Sequence, residues 1–510
     1  MGDDNEVEAG PDLAQGVPAA AVREGQPLLG QVEGQPVLLV RAAGAVHAVA
    51  AHCTHWSGPL AEGLVVGDTI RCPWHHACFS LRDGAVLGPP GLRPLACWQV
   101  HEQGGQVWVS GAKPPAPPAA PPRQPEAVVI VGAGAAGDAC AFALREFGHD
   151  GSITLIGAEA TATLDRPNLS KDFLAGNAPA EWLPLRADGD YTERRITLRT
   201  GVRVQAIDRA ARHVHLSDGG ALRYDALLLA TGAQPVAPSL PGADAPHVHT
   251  LRTLADVQAI LARVAGGAKR AVVVGASFIG LEVAASLRAR GLAVAVVAPE
   301  AAPLARVFGP RLAARIRREH EQRIGTVFHL GRKPVAIDAQ AVTLDDGTRL
   351  PADLVVFGIG VRPDVALAQA AGLAVDDGIV VDAQLRSSDP AIWAAGDVAR
   401  YPDPLGGGPV RIEHWAVAQA QGRLAARNML GFGEAFATVP FFWSQHGGLA
   451  ISYVGHATQW DAVQEDGDPD RDDYLCRYLR GGRVLAVASI GRDRDSLAEQ
   501  ARMEASFAAV

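Results

Sequence analysis

Two segments of this chain repeat one order of features: an apolar strand, a turn with closely spaced glycines, and a helix. The first begins with AVVIV at 127–131, and the second begins with AVVVG at 271–275. Another apolar strand follows each of them, ITLIG at 153–157 and LAVAVV at 292–297. Buried apolar strands that alternate with helices are typical of parallel α/β sheets. The sequence therefore predicts a duplicated architecture of the kind that binds dinucleotides.

The first glycine turn has the spacing G-x-G-x-x-G directly after its strand, at Gly132, Gly134 and Gly137. The first glycine permits a tight turn, the second lets a pyrophosphate approach the backbone, and the third allows the helix to pack closely. The helix N-terminus then faces the phosphates. Glu159 follows the next strand, where a carboxylate is expected to bind ribose hydroxyls.

The second glycine turn retains Gly275 and Gly280 but has Ser277 in place of the middle glycine. A side chain there makes phosphate approach less free, so this copy of the motif is the weaker one. Glu300 lies near the end of the next strand, and an acid there favours the free 2′-hydroxyl of NADH over the 2′-phosphate of NADPH. Ala298, however, occupies the strand end itself, where the acid is expected.

Composition restricts the partners and the compartment. A net charge of −9 argues against a nucleic-acid or anionic-membrane partner. No apolar run is long enough to span a bilayer, and the N-terminus MGDDNEVEAG reads as neither a secretory signal nor a transit peptide. The six cysteines are sparse in a long chain, which favours reduced thiols and a cytoplasmic location.

The proline-rich stretch 113–125, KPPAPPAAPPRQP, predicts an extended, semi-rigid spacer behind a separate front module. We expect this spacer to keep the two parts close without fixing one geometry between them. Short β-like runs at 36–41, 46–50 and 106–110, broken by Gly, Pro and Asp, predict a small all-β domain in front of it. Further strands are predicted near the C-terminus at 449–454 and 484–490.

The front module contains a pattern of metal-ligand type: Cys53-x-His55, sixteen intervening residues, then Cys72-x-x-His75. Two cysteines and two histidines suit either a tetrahedral zinc ion or an iron–sulfur cluster. Because each half supplies one cysteine and one histidine, the pattern favours a two-iron cluster with both thiolates on one iron and both imidazoles on the other. A zinc-binding docking domain and ordinary structural residues remain the alternatives.

The segments CTHWSGPL and CPWHHACF, within residues 22–112, resemble the Rieske ferredoxin family. The resemblance implies that Cys53 and Cys72 hold one iron of a [2Fe–2S] cluster and that His55 and His75 hold the other. The extra loop cysteines of the respiratory Rieske proteins are missing here, which implies the lower-potential ferredoxin type. His76 is expected to point away from the iron.

The rest of the chain resembles the FAD-dependent pyridine nucleotide–disulfide oxidoreductase superfamily, in its ferredoxin-reductase and apoptosis-inducing-factor-like branch. The segments that carry this resemblance are LLLATGAQP at 227–235, IWAAGDVAR at 392–400, TLDRPNLSKDFL at 163–174, FGIGVRPD at 357–364, EHWAVAQAQG at 413–422 and PFFWS at 440–444. Leu164 and Asn168 depart from the usual pattern. No cysteine pair lies near the flavin region, so disulfide reduction is not expected.

The resemblance implies a role for each matching residue. Lys171 is expected near the reactive edge of the flavin, and Glu282 is expected to approach the nicotinamide carboxamide or to pair with Lys171. Trp415 begins a helix whose backbone N–H groups face the flavin. The resemblance implies Gly132, Gly134, Gly137, Glu159, Arg166, Lys171, Asp397 and Trp415 for FAD, and Gly275, Gly280 and Glu300 for the nicotinamide nucleotide. Thr231, Gly232 and Gly360 are further expected cofactor-binding residues.

The predicted fold class is therefore multidomain: a small all-β Rieske domain, two Rossmann-like α/β domains and a C-terminal α+β domain. The predicted boundaries are a disordered N-terminus at 1–21, the Rieske domain at 22–112, the linker at 113–125, the FAD domain at 126–250 and 372–434, the NAD(P)H domain at 251–371 and a C-terminal interface domain at 435–510. The chain is expected to act as a monomer or homodimer.

The predicted function is transfer of electrons from NAD(P)H through FAD to the cluster, or directly to a separate one-electron acceptor such as a ferredoxin, an oxygenase component or a haem protein. The alternative is an NADH-responsive sensor with slow turnover. Sustained turnover with a one-electron acceptor distinguishes the two.

Overall fold

The computed structural model describes residues 10–115 and 117–507. The N-terminal domain contains a six-stranded antiparallel sheet and a smaller four-stranded one. The larger sheet consists of Val17–Pro18, Leu28–Val32, Gln35–Ala42, Ala45–Ala50, Cys97–Gln103 and Gln106–Lys113. The smaller consists of Leu64–Val66, Thr69–Arg71, Cys78–Ser80 and Val86–Gly88. The two-residue turn Gly104-Gly105 has positive φ at both residues, +57° and +77°, as a type I′ hairpin turn requires.

One boundary prediction is wrong at the N-terminus. Residues 10–21, predicted to be disordered, are ordered: Val17–Pro18 pairs with the strand Gln106–Lys113. Leu13 is fully buried in the core of the larger sheet. Pairing with a strand 90 residues further along cannot be recognised from the local sequence. Residues 1–9 lie outside the described part of the chain.

The first α/β domain is built on a five-stranded parallel sheet. In spatial order its strands are Ile196–Arg199, Ser152–Ile156, Ala127–Val131, Ala226–Leu229 and Ile392–Ala394. The central strands read AVVIV and ALLL and are almost entirely buried, because helices cover both faces of a parallel sheet. The helices Ala135–Glu146 and Trp415–Met429 pack against each other beside it. A small antiparallel sheet accompanies it: Val204–Asp208, His213–Leu216 and Ala221–Arg223.

The second α/β domain repeats the plan. Its parallel sheet has the order Val248–Thr250, Leu354–Phe357, Arg270–Val274, Ala293–Ala298 and Val327–Leu330. Val248–Thr250, which the sequence analysis placed in the first domain, is thus an edge strand of the second. The helices are Leu254–Ala265, Phe278–Ala289 and Ala305–Arg318, and the accompanying antiparallel strands are Pro334–Ile337, Ala341–Leu344 and Arg349–Pro351. The antiparallel pair Ala233–Pro235 and Val361–Pro363 joins the two α/β domains.

The C-terminal domain is α+β, as predicted. Its antiparallel sheet has the order Phe441–His446, Leu449–Gly455, Arg483–Ile490, Asp473–Arg480 and Ala462–Asp468, and the helix Asp493–Phe507 packs on it. Three short strands remain: Ile379–Val380, Ala399–Pro402 and Pro409–Val410. The short α-helices are Arg166–Leu169, Asp172–Ala175, Asp190–Glu193 and Ala366–Ala370, and a π-helix spans Glu319–Ile324. The 3₁₀ turns are Leu13–Gln15, Ala19–Ala21, Leu60–Glu62, Ala180–Trp182 and Pro469–Arg471. Across the described residues, no helix has the length and apolar character needed to cross a bilayer.

Candidate functional site

A cavity of about 780 Å³ lies where the two α/β domains and the C-terminal domain meet. Most of the predicted cofactor-binding residues line it. They are Gly132, Gly134, Glu159, Arg166, Lys171, Thr231, Gly232, Glu282, Gly360, Asp397 and Trp415. Trp415 is the first residue of the helix Trp415–Met429, so the N-terminus of this helix faces the cavity as predicted. Of the predicted cofactor-binding residues, Gly137, Gly275, Gly280 and Glu300 are not among those that line this cavity, and the others are brought together around it.

The first glycine turn leaves room for a phosphate group only at its middle position. A Cβ atom on Gly132 would lie 2.1 Å from the carbonyl oxygen of Ala230, and one on Gly137 would lie 1.9 Å from that of Gly132. A Cβ atom on Gly134, by contrast, would meet no protein atom within 4 Å. The first and third glycines thus serve protein packing, and the open space at the second suits a pyrophosphate. This turn fits FAD.

Alanine substitutions separate these two roles. Gly134→Ala should leave the fold intact but weaken FAD binding, because its methyl group would occupy only the space that the pyrophosphate needs. Gly137→Ala should destabilise the protein itself by about 1–3 kcal/mol, since the methyl group would overlap backbone atoms. The measurements are the ratio of bound FAD to protein and the thermal unfolding of the FAD-free forms. Wild-type FAD content in Gly134→Ala would contradict the assignment.

Two guanidinium groups, each paired with a carboxylate, line the cavity. Arg166 forms an ion pair with Glu159, and the Nη2 atom of Arg252 lies 2.8 Å from a carboxylate oxygen of Asp397. Burial lowers the pKa of Arg166, and the nearby charge of Arg252 lowers it further. An anionic pyrophosphate between them would relieve this repulsion. A strand, Ala399–Pro402, follows Asp397, so this residue does not serve as a helix cap.

Lys171 and Glu282 form a buried ion pair on the cavity wall. The Lys171 Nζ atom lies 2.9 Å from Glu282 Oε2, and the two side chains are only 12% and 3% exposed. Ser170 donates a hydrogen bond to Oε2 of the same carboxylate, and Ser444 donates one to Oε1, each at 2.6 Å. Three donors, Lys171, Ser170 and Ser444, therefore surround this one carboxylate. Glu282 is therefore not an ordinary helix-surface residue, and its predicted pairing with Lys171 is present.

The second glycine turn uses its residues differently from the first. Gly275 has a φ of +110°, and a Cβ atom on Gly280 would lie 2.2 Å from the carbonyl oxygen of Gly275. Ser277 is the N-cap of the helix Phe278–Ala289: its hydroxyl accepts a hydrogen bond from the Gly280 N–H group and donates one to the Gly358 oxygen. The second turn thus has a helix-capping residue, Ser277, at the position of the middle glycine of the first turn. Glu300 is exposed just beyond the strand Ala293–Ala298.

The predicted metal ligands lie in two loops with the same backbone pattern. The Cys53 N–H group donates to Gly58 O at 2.9 Å, and the Cys72 N–H group donates to Ala77 O at 2.8 Å. The thiols of Cys53 and Cys72 interact with each other, which raises the pKa of Cys53 and lowers that of Cys72. The two sulfur atoms are therefore neighbours, as two ligands of one iron must be.

The two histidine ligands form a second pair. The Nδ1 atoms of His55 and His75 face each other at 3.2 Å. Burial lowers the pKa of His55 to about 3 and also lowers that of His75, so both rings are in the neutral form that binds metals. Within 10–115 and 117–507, no three His, Cys, Asp or Glu side chains converge on one point. A sulfur pair and a nitrogen pair fit a two-iron cluster better than one tetrahedral zinc ion.

One aromatic ring lies between the histidine pair and the cavity. The ring centroids of His75 and Trp443 are 4.2 Å apart, and those of His55 and Trp443 are 6.3 Å apart. Trp443 also lines the cavity. Trp443 lies in the PFFWS segment that carries the family resemblance, and no role was predicted for it. A single side chain therefore connects the predicted cluster ligands with the predicted flavin site.

Direct contacts hold the N-terminal domain against the rest of the chain. Arg71 pairs with Glu504 at 2.6 Å, and the buried ring of His76 stacks on Phe441 with centroids 3.8 Å apart. His76 also hydrogen-bonds to Gln500 and is turned away from the two ligand pairs, as predicted. That the linker itself does not fix one geometry stays a prediction. The side chains of the interface define one docked arrangement, which the linker alone does not.

Asp165 is part of this interface. Its Oδ2 atom accepts a hydrogen bond from Trp56 Nε1 at 2.9 Å, while its Oδ1 atom is buried and has no hydrogen-bond partner among the described residues. Burial raises the pKa of Asp165 to about 6, although Trp56 and the charge of Lys171 oppose the shift. Asp165, Trp56 and Trp443 were not among the predicted site residues, and TLDRPNLSK at 163–171 gave the only local signal for Asp165.

Asp165 should make the stability of the protein depend on pH. Its pKa in the folded state lies above the ordinary 3.8, so its contribution is full below about pH 4 and is lost as the pH rises through about 6. Asp165→Asn should therefore raise the free energy of unfolding by up to about 3 kcal/mol at pH 8 and much less at pH 4. Urea unfolding at the two pH values measures this. An equal effect at both would contradict the assignment.

Cys140 has no role in the site. It is fully buried in the helix Ala135–Glu146, and burial raises the pKa of its thiol. A thiol held in the neutral form is a poor nucleophile, so Cys140 is not suited to disulfide exchange.

The sequence matches three protein families in succession. Residues 16–99 match the Rieske [2Fe-2S] domain, residues 126–422 match the family described as pyridine nucleotide-disulphide oxidoreductase, and residues 441–508 match the reductase C-terminal domain. The second of these matches covers more than half of the chain. The Rieske match begins within the N-terminal segment that was predicted to be disordered, in agreement with its ordered structure.

Curated relatives match both the whole chain and its reductase part. Apoptosis-inducing factor 3 of Homo sapiens is 33% identical over 478 residues, which are 90% of this chain and 78% of that protein. The anthranilate 1,2-dioxygenase system ferredoxin–NAD(+) reductase component of Burkholderia cepacia is 42% identical over 372 residues, 72% of this chain and 91% of that protein. Among solved structures, the covalent putidaredoxin reductase–putidaredoxin complex matches with a TM-score of 0.72 and 37% identity, covering 75% of this chain and 94% of that one.

Proposed function

The chain belongs to the pyridine nucleotide-disulphide oxidoreductase family and carries a Rieske [2Fe-2S] domain, and we propose that it passes electrons from NADH through FAD to its own cluster and then to a one-electron acceptor protein. The observation that carries this proposal is the position of Trp443. Its ring lies 4.2 Å from the ring of His75 and also lines the cavity that fits FAD. The two redox sites are therefore separated by one side chain within a single docked chain.

Different residues of the cavity would bind FAD and orient the reacting rings. Bound FAD would accept a hydride from NADH and release electrons one at a time, as a [2Fe–2S] cluster requires. Gly134, Arg166 and Arg252 would hold the phosphate end. Lys171 and Glu282, buried at the other side, would orient the reacting rings and exclude water from them.

We infer that the acceptor takes its electrons from the cluster and not from FAD. His75 already occupies the face of Trp443 towards the N-terminal domain. A separate ferredoxin would have to displace this domain, including the Arg71–Glu504 pair, to reach Trp443. A ferredoxin, an oxygenase component or a haem protein remains the proposed acceptor. None of the six cysteines, all of which lie in the described part of the chain, forms a disulfide, which supports a reducing compartment such as the cytoplasm.

Steady-state turnover tests this function. The protein loaded with FAD and cluster is mixed with NADH and a protein one-electron acceptor such as cytochrome c, and oxidation of NADH and reduction of the acceptor are followed together. We expect sustained turnover with two acceptor molecules reduced for each NADH, because a hydride carries two electrons. A single round of NADH oxidation followed by a stable, non-cycling complex would instead indicate the sensor role.

Glu300 should set the preference for NADH. A carboxylate there accepts hydrogen bonds from the ribose hydroxyls and repels a 2′-phosphate. Glu300→Gln should raise the KM for NADH about tenfold, the effect of losing one hydrogen bond to a charged group, and should leave the KM for NADPH unchanged or lower. Steady-state kinetics with both nucleotides measure this, and NADPH is the internal control. Equal changes for both would exclude Glu300 as the selective residue.

A further inference from the structure

A row of buried polar side chains leads away from the cavity behind Glu282. Ser444 Oγ lies 2.6 Å from Glu282 Oε1 and 3.3 Å from His446 Nε2. His446 Nδ1 lies 3.2 Å from His320 Nε2, and His320 Nδ1 lies 3.4 Å from Thr326 Oγ1. Every member after Glu282 is thus within hydrogen-bond reach of the next. This row joins the C-terminal domain to the NAD(P)H domain.

The local backbone explains why these groups point inward. The strand Phe441–His446 alternates, so Ser444 and His446 face the interior while Gln445 is exposed. His320 lies in the π-helix Glu319–Ile324, a widened turn of the kind found frequently at functional sites. Both histidines are fully buried. Burial lowers the pKa of each to about 3. The charge of Lys171 lowers the pKa of His446 further, and the neighbouring His446 lowers that of His320 further.

Two neutral histidine rings give the row two complete sets of hydrogen bonds. With Glu282 ionised, Ser444 donates to it, His446 donates to Ser444 through Nε2, His320 donates to His446 through Nε2, and Thr326 donates to His320. With Glu282 protonated, every bond reverses and both rings carry the proton on Nδ1. In either set, each ring nitrogen of His446 and His320 has a hydrogen-bond partner. The two sets differ by the passage of one proton along the row.

We propose that His446 and His320 conduct protons between Glu282 and the protein surface near Thr326. The inference rests on the proposed function. Oxidation of NADH to NAD⁺ yields two electrons and one proton; the cluster takes the electrons, so one proton must leave the cavity for each NADH. The Lys171–Glu282 pair is the buried ionisable pair on the cavity wall. Thr326 is buried between two exposed neighbours in the chain, Gly325 and Val327, and the proposed exchange of the proton with water takes place at this point.

His320→Gln separates proton conduction from hydrogen bonding. The glutamine amide can still donate to His446, but it cannot take up a proton on one side and release it on the other. His446→Gln interrupts the row one step closer to Glu282. The matched control is His215→Gln, since His215 is exposed on the strand His213–Leu216.

The experiment follows proton release with a pH-indicator dye during NADH-driven turnover of the FAD- and cluster-loaded protein, in H₂O and in D₂O. We expect release to slow about tenfold in both glutamine variants and to remain at the wild-type rate in His215→Gln. Wild-type release should be slower in D₂O. Unchanged release in both row variants, at wild-type FAD content, would overturn the proposal.

A second measurement is independent of turnover. In ¹⁵N-histidine NMR spectra, a continuous row requires that His446 and His320 be neutral and carry their proton on the same ring position, Nε2 when Glu282 is ionised. The two glutamine variants assign the signals. Opposite tautomers or a charged ring would overturn the relay. Absence of NADH oxidation in the wild-type protein with correct tautomers would instead contradict the proposed function and leave the row intact.

Discussion

Removing one thiolate ligand should stop electron output while leaving NADH oxidation by the flavin intact. Cys72→Ala takes away a ligand that alanine cannot replace, so the cluster should be lost. Reduction of a protein acceptor should then fall to background, because Trp443 no longer adjoins a redox partner. The NADH-dependent bleaching of bound FAD should remain, since the Lys171–Glu282 pair and the cavity are untouched.

The matched control is Cys97→Ala in the same domain. Cys97 is also buried, and its thiol hydrogen-bonds to the backbone oxygen of Leu95. The Cys97→Ala variant should keep the cluster and turnover, and its free energy of unfolding should be lower by about 1 kcal/mol. Iron content, the electron paramagnetic resonance signal of the reduced cluster and acceptor reduction are measured for both variants. Full acceptor reduction in a cluster-free Cys72→Ala protein would show that electrons leave directly from FAD.

Breaking the buried ion pair should have the largest effect on stability. Glu282→Gln leaves the Lys171 ammonium group, only 12% exposed, without a counter-charge. Loss of one partner of a buried pair costs about 3–5 kcal/mol. The rate of flavin reduction by NADH should also fall about a hundredfold, because a charge oriented towards the reacting rings is removed. Urea unfolding and anaerobic stopped-flow mixing measure the two effects.

The double variant Lys171→Met/Glu282→Gln distinguishes the two roles of the pair. With both charges gone, no uncompensated buried charge remains, and most of the lost stability should return. Flavin reduction should stay slow, since neither group is present to orient the nicotinamide. A double-mutant cycle gives the coupling energy of the pair. Recovery of both stability and rate would mean that the pair serves only the fold.

The sequence was informative where function depends on short patterns. The glycine turn at Gly132–Gly137 is recognisable because strand, turn and helix are consecutive in the chain and the phosphate must approach the backbone there. The spacing of Cys53, His55, Cys72 and His75 is equally local, since each half lies in one loop. The pairing of Lys171 with Glu282 came from the family resemblance and not from spacing.

What the sequence did not provide are contacts between distant parts of the chain. His76 and Gln500 are 424 positions apart, and the ring of His75 meets Trp443 only after the N-terminal and C-terminal domains have packed together. A proline-rich linker predicts proximity but cannot specify which surfaces meet. Arg71, Trp56 and Asp165 specify the docking, and each is unremarkable until its partner across the interface is known.

The central claim is that electrons from NADH reach the fused cluster within one chain. An anaerobic titration of the FAD- and cluster-loaded protein with NADH, followed by visible absorbance and low-temperature electron paramagnetic resonance, tests it most directly. We predict that the flavin absorbance falls and that the signal of a reduced Rieske cluster grows in the same protein. A fully reduced flavin beside an intact cluster that stays oxidised would contradict the account.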